Sequence, residues 1–265
     1  MTLPRLLKFL FYGTCPGFAG RFPYFGTRVF FPRGATAFHA ACAQGIFEYD
    51  NVRILQQLYR EGSYMFDVGA NLGLMAIPIL HMSQTSRVVS FEPSPNSVPF
   101  LQKTISQSAY AERWRLIAKA VAAEHGYAEF SLSDPRSGLY DSLKPTHRAG
   151  ELRRVQVELT TLDAEWKAIG QPDVSIIKID VEGAEVDVLR GALACLQQTR
   201  PTVLLEWNRT NLLAHGSAPE ELLTFAKQHG YEIFGVPTGV RVTTDSELNV
   251  QMLLTESFLL RPTAK

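Results

Sequence analysis

Residues Tyr64 to Gly73 read Tyr-Met-Phe-Asp-Val-Gly-Ala-Asn-Leu-Gly, and Phe91-Glu92-Pro93 sets a second acid twenty-five residues after Asp67. A short apolar run, a glycine turn, a helical stretch and a second apolar run ending in an acid predict a strand, a turn, a helix and a parallel strand. Gly69 and Gly73 let backbone come close to a ligand, and an acid at the end of the second strand can accept hydrogen bonds from a ribose diol. A unit of this kind grips a nucleoside. The competing reading is an ordinary strand-turn-helix whose glycines serve packing alone.

The glycines are spaced G-x-x-x-G. The dinucleotide fingerprint is G-x-G-x-x-G, with a helix N-terminus facing a pyrophosphate. Asp67 stands immediately before the turn and would repel that pyrophosphate. It suits a ligand that is cationic or zwitterionic there, and S-adenosylmethionine (SAM) has a sulfonium, an ammonium and no phosphate. Asp67, Gly69, Ala70, Asn71 and Gly73 are therefore expected to hold the methionine end of SAM. Glu92, followed by Pro93, is expected to take the ribose. Asn71 either contacts the ligand or caps the next helix, and Ser94 and Asn96 carry the same two readings.

The βα rhythm continues along the chain. Apolar runs predict strands at Tyr64–Val68, Arg87–Phe91, Trp114–Ala118, Val174–Ile179, Pro201–Trp207, Tyr231–Val236 and Met252–Leu260. Helices are expected at Val52–Tyr59, Leu72–Met82, Ser97–Gln107, Leu162–Ile169, Glu185–Gln198 and Pro219–His229. Ala128–Leu132 reads as a short extra strand and Arg154–Leu159 as a half-exposed one. The polar stretch Ser133–Gly150 reads as a long loop. Strands alternating with helices imply a mostly parallel sheet covered on both faces. The last two strands, with no helix expected between them, imply a final hairpin and one antiparallel strand. Together these give a seven-stranded, Rossmann-like α/β fold over residues 63–265, preceded by an aromatic-rich extension over 1–62. Ala120, in the turn after the third strand with Lys119 and Val121, is expected to meet adenine through its backbone.

The 265 residues carry 26 basic and 26 acidic side chains and are 46% hydrophobic, enough to bury a full core. A net charge of zero offers no electrostatic reason to expect nucleic acid. Cys15, Cys42 and Cys195 are widely spaced and form no metal pattern, which suggests a reducing, cytoplasmic compartment. The apolar stretch Leu3–Tyr12 is far below the ~20 residues of a membrane span and lacks a clean signal-peptide pattern. It is expected to be a helix docked on the body; a membrane-surface contact or a homodimer contact is the competing reading.

The chain resembles the FkbM-type methyltransferases. The resemblance rests on Phe66–Gly73, Phe91-Glu92-Pro93, Thr161-Leu162-Asp163, the run Ile177-Lys178-Ile179-Asp180-Val181-Glu182-Gly183-Ala184-Glu185, and Arg200–Glu206. It implies SAM-dependent transfer of a methyl group to a hydroxyl of a glycan, lipid-linked sugar or other small molecule. In open α/β sheets the ligand lies at the carboxyl ends of the strands. Asp180 ends one central strand there, Lys178 shares its face, and Glu206 ends the neighbouring strand. Three readings stand for this group. Asp180, with Glu206 and Lys178, orients or deprotonates the acceptor; or Asp180, Glu182 and Glu206 bind a divalent metal; or Glu182 and Glu185 complement a helix N-terminus while Lys178 neutralises Asp180. The first is preferred, with no metal, and Glu185 is taken as structural. His39 and His147 are weaker candidates for the base, and Tyr140, Asp141 and Ser142 for contacts to SAM or acceptor. A nicotinamide oxidoreductase shares the βαβ unit but would want G-x-G-x-x-G, and a non-catalytic SAM-binding protein would not need the Asp180 block.

Overall fold

The structure is a computed structural model and describes residues 20–33, 35, 38, 41, 44–134, 141–143 and 153–263. Several expectations lie outside these residues: the helix over Leu3–Tyr12, Cys15, Cys42, His39, Tyr140, His147 and most of the Ser133–Gly150 stretch. In chain order the elements are β1 Arg21–Tyr24, β2 Thr27–Phe30, α1 Tyr49–Leu58, β3 Tyr64–Val68, α2 Ala76–Met82, β4 Arg87–Phe91, α3 Val98–Ser106, β5 Trp114–Ile117, β6 Ala120–Val121, β7 Gly126–Leu132, β8 Arg153–Thr160 and α4 Leu162–Ala168. They continue as β9 Val174–Ile179, α5 Glu185–Arg190, α6 Leu193–Thr199, β10 Thr202–Glu206, α7 Arg209–His215, α8 Glu221–His229, β11 Tyr231–Gly235, β12 Arg241–Val242, α9 Asp245–Gln251 and β13 Ser257–Pro262.

The central sheet runs β12-β11-β13-β10-β9-β3-β4-β5. The pairs β10–β9, β9–β3, β3–β4 and β4–β5 are parallel, and β13 lies antiparallel between β10 and β11. Alternation along each strand sorts the core onto two faces. Phe66, Val68, Ile177, Ile179, Val203 and Leu205 pack beneath α4, α5, α6 and α8. Met65, Val88, Ile176 and Leu204 pack beneath α1, α2 and α3. The sheet has eight strands because the two-residue β12 pairs with β11.

Four details depart from the sequence reading. The hairpin β1–β2 was not expected; its Phe22, Tyr24 and Val29 are buried in the cluster that holds Met65 and Leu80. The long helix over Glu185–Gln198 breaks into α5 and α6 at Gly191, where a Cβ would lie 2.1 Å from the Ala122 carbonyl oxygen. The last two strands are not directly joined. β12 and α9 intervene, α9 opens on a capping box between Thr244 and Glu247, and β13 begins only at Ser257. The expected strand over Met252–Leu260 is therefore shorter at its start. α7 is also new, capped by the Asn208 side chain accepting from Asn211 N–H.

β6, β8 and β7 form a small second sheet beside the end of β5. Phe130, Leu132, Val157 and Ala120 make its apolar cluster, with Leu143 packed against them. Ala120, Phe130 and Leu143 of this unit also line a cavity at the carboxyl end of the main sheet.

Candidate active site

The chain turns sharply after β3. Gly69 and Ala70 both donate to the Phe91 carbonyl at 3.0 Å, which ties the turn to the end of β4. Gly69 has φ 72°, and a Cβ there would lie 1.8 Å from the Asp180 carbonyl oxygen. Only glycine allows β3 and β9 to meet this closely. Asn71 follows at φ 48°. Its N–H donates to Glu92 Oε2 at 2.7 Å, and Ser94 N–H donates to Glu92 Oε1 at 2.8 Å. Burial pushes the Glu92 carboxyl up to about 7, although both backbone donors favour its charged form.

Around these residues opens a cavity of about 930 Å³, its mouth included, lined by Gly69, Ala70, Asn71, Glu92, Pro93, Lys119, Ala120, Phe130, Asp141, Lys178 and Asp180 among others. Six of the eight residues expected to hold SAM stand on its wall.

The other two do not. Gly73 faces away: a Cβ there would lie 2.4 Å from the Trp114 ring, so its absent side chain serves packing. Asp67 is wholly buried and absent from the wall. Its oxygens accept no hydrogen bond, and Lys178 Nζ lies 3.7 Å away, an ion pair too long for one. Lys178 instead donates to the Gly69 carbonyl at 2.8 Å and pairs with Asp180 at 3.4 Å. Burial opposes the Lys178 charge, but Asp180, Asp67 and Glu48 outweigh it and hold the ammonium protonated. Burial raises the Asp67 pKa, and Lys178 opposes the rise. Asp67 thus lies behind Lys178, which stands between it and the cavity wall.

Asp180, Glu182 and Glu206 place carboxylate oxygens within 4.8 Å of one another. Glu182, at φ 58°, accepts from Asn211 Nδ2 at 2.8 Å. Glu206 accepts from Asn208 Nδ2 at 2.5 Å. Burial, then the charge and hydrogen bond of Asp180, push Glu206 up to about 11. Burial and the neighbouring Asp180 thus favour the neutral form of Glu206. Glu185 is buried and accepts from Gly183 N–H at 3.0 Å and Val181 N–H at 3.3 Å, which staples the turn after Asp180.

A second cavity, about 770 Å³ with its mouth, adjoins the first and shares Phe47, Met75, Lys178, Asp180 and Glu182 with it. Glu48, Asn51, Glu206, Glu256 and Ser257 complete its polar lining. Asn51 Nδ2 links Glu48 Oε2 at 2.8 Å to Ser257 Oγ at 3.1 Å. None of Glu48, Asn51, Glu256 and Ser257 was singled out in the sequence. They come from the N-terminus of α1 and the start of β13, and only the Glu48–Asn51 spacing at a helix start hints at an interaction. Of the aromatic residues in the N-terminal extension, Phe22, Tyr24 and Phe31 lie in the core, while Phe38 lines the first cavity and Phe47 both.

Residues 67–233 match the methyltransferase FkbM domain. The chain belongs to the FkbM methyltransferase family. Among curated relatives it is 25% identical over 164 residues to 2-O-methyltransferase NoeI of Sinorhizobium fredii, covering 56% of this chain and 65% of that protein. It is 23% identical over 150 residues to hexuronic acid methyltransferase AglP of Haloferax volcanii, covering 57% and 58%. It is 24% identical over 154 residues to methyltransferase sdnD of Sordaria araneosa, covering 48% and 60%. The chain thus spans about three-fifths of these relatives' lengths. An FkbM methyltransferase structure from Methylobacillus flagellatus superposes with a TM-score of 0.50 at 17% identity, over 86% of this chain and 53% of that one. Its likeness is one of fold, and within the FkbM family the parallel sheet with a late antiparallel strand is the Rossmann-like methyltransferase arrangement.

Proposed function

We propose that this chain transfers a methyl group from SAM to a hydroxyl of a small molecule or glycan. One observation carries the reading: the nucleoside-type cavity and the carboxylate-lined cavity meet at Lys178, Asp180 and Glu182. The residues fit SAM. Glu92 lies buried on the wall with its carboxylate held by two backbone amides, ready to accept from a ribose diol. At the other end Asp180, Glu182 and the Gly69 carbonyl give the wall an acceptor-rich lining around Lys178, which suits a sulfonium and an ammonium.

SAM, when bound, supplies an electrophilic methyl on a sulfonium whose departure leaves a neutral thioether, so no acid catalyst is called for. The protein aligns the acceptor oxygen with that methyl, and such alignment can supply roughly 7–11 kcal/mol of the barrier. Asp180, which borders both cavities, receives the hydroxyl proton. Glu206, carrying its own proton, steadies that charge by hydrogen bonding. Lys178 fixes Asp180 and the Gly69 carbonyl together. A positioned base of this kind adds typically ~10²–10⁴-fold.

A wall of carboxylates suits an acceptor that presents hydroxyl donors, and the names of NoeI and AglP point the same way, to 2-O-methylation and to a sugar acid. The cytoplasm is the compartment assigned with this reading, in line with the cysteine spacing. The test is twofold. Calorimetry should show S-adenosylhomocysteine (SAH) binding, and labelled SAM should pass its methyl to hydroxylated glycosides or a small-molecule extract as an alkali-stable ether. No heat with SAM or SAH ends the proposal; label recovered as a methylamine replaces the hydroxyl by an amine.

A further inference from the structure

The carboxylate of Asp141 sits between the small sheet and the Glu92 turn and receives four protein hydrogen bonds. Ser133 N–H and Ser133 Oγ both donate to Oδ1 at 2.7 Å. Ser94 Oγ donates to Oδ2 at 2.5 Å and Asn96 Nδ2 at 3.0 Å. A carboxylate has about four lone-pair sites. All four are filled from the protein, so Asp141 has none left for a ligand, although it stands on the cavity wall.

The donors matter because of what else they hold. Ser94 gives its N–H to Glu92 Oε1 and its Oγ to Asp141, so one residue links both acids. Ser94 Oγ also accepts from Asn96 N–H at 3.0 Å. On the other side, Ser133 follows β7, and Ser142, next to Asp141, bridges back to Ser131 through two backbone bonds of 2.8 and 3.1 Å. Phe130 and Leu143, which line the cavity, belong to this same unit. The aspartate therefore joins the wall that faces adenine to the turn that presents the ribose acceptor.

We propose that Asp141 is a positioning residue for the cosubstrate: it clamps the small sheet onto the Glu92 turn and so fixes the width of the nucleoside end of the cavity. This rests on the reading of that cavity as a SAM site. The clamp works by distance alone. Without it the small sheet and the Glu92 turn are joined only by Asn96 Nδ2 to the Ser133 carbonyl, at 3.3 Å, among the described side-chain bonds.

The experiment compares the full-length wild type with Asp141→Ala, Asp141→Asn and Ser94→Ala. SAH affinity and dissociation rate are measured by calorimetry and surface plasmon resonance, with thermal midpoints and hydrogen exchange of the ligand-free proteins. The expected result is SAH binding weakened ~10-fold or more in Asp141→Ala, mainly through faster dissociation, with faster exchange at the Ser133 amide. Asp141→Asn turns an amide donor toward Asn96 Nδ2 and keeps the Ser133 arm. It should weaken SAH but leave the Ser133 amide protected. A lowered thermal midpoint with unchanged SAH dissociation, in whichever variants fold, overturns the inference and makes Asp141 merely structural. Wild type that binds no SAH instead removes the SAM site itself, and the inference falls with it.

Discussion

Asp180 and Glu206 bring two carboxyls together beside one ammonium, Lys178. Glu206 lies against Asp180 and is largely withdrawn from water, so protonating it relieves both desolvation and like-charge repulsion. Lys178 stands 3.4 Å from Asp180 and favours a negative charge there. Asp180→Asn should therefore lower turnover by ~10²-fold or more with SAH affinity nearly unchanged, measured as kcat against calorimetric Kd. Equal losses in both would make Asp180 a cofactor ligand instead. Glu92 predicts a pH effect of a different kind. On the proposed reading the ribose diol needs its ionised form, so SAH affinity should fall as pH drops below about 7, by up to tenfold per unit. The stability of the ligand-free protein should move the other way. The unfolded group titrates near 4.5 and the folded one near 7. Its burial cost is absent below the first value and grows as pH rises through the interval, so acidification toward pH 5 relieves it. Glu92→Gln should abolish this part of both trends, checked by calorimetry and thermal melts from pH 5 to 8.

Turns, more than helices, carry the site, and two substitutions separate a turn that shapes it from an element that only holds the fold. Gly69→Ala meets both a positive φ and a backbone oxygen 1.8 Å from the new Cβ. Strain of this kind costs on the order of 1–3 kcal/mol before the clash is counted, and relief requires the turn to leave Asp180. Stability and SAH binding should both fail. Thr244→Ala removes the cap of α9, worth about 1 kcal/mol, yet α9 supplies no cavity residue. Denaturation should shift while SAH affinity stays constant; a change in affinity would show that the β11–β13 connection reaches the site. The sequence displayed the strands well because apolar residues alternate or run continuously in them. It displayed α9 poorly although Thr244-Asp245-Ser246-Glu247 spells a capping box, since a seven-residue helix burying only Leu248 and Gln251 shows no apolar period. The burial of Asp67 was hidden for another reason. What occupies it is Lys178, its register partner on β9, 111 positions later, and pairing register between distant strands is not written in either strand.

The neutral net charge of the chain hides a steep local arrangement. Carboxylates from α1, the ends of β9 and β10 and the start of β13 converge on one cavity: Glu48, Asp180, Glu182, Glu206 and Glu256, with Lys178 as its one lysine. Composition cannot show this, because the basic residues that balance the count lie elsewhere. Such a cluster raises the question of a divalent cation, since Asp180, Glu182 and Glu206 have the separation to share one. The internal charges argue for a proton in that place. Lys178 already supplies a positive charge 3.4 Å from Asp180 Oδ2, and a metal ion bound to the same carboxylate would sit close to that ammonium. Glu182 is engaged by Asn211 and Glu206 by Asn208, so each would have to surrender or share a partner to coordinate. Methyl transfer should therefore survive chelation with EDTA and gain nothing from added Mg²⁺, while the Asp180→Asn defect should remain at every metal concentration. Loss of most turnover on chelation, restored by Mg²⁺, would assign the cluster to a cation and make Glu206 a ligand rather than the neutral partner of the base.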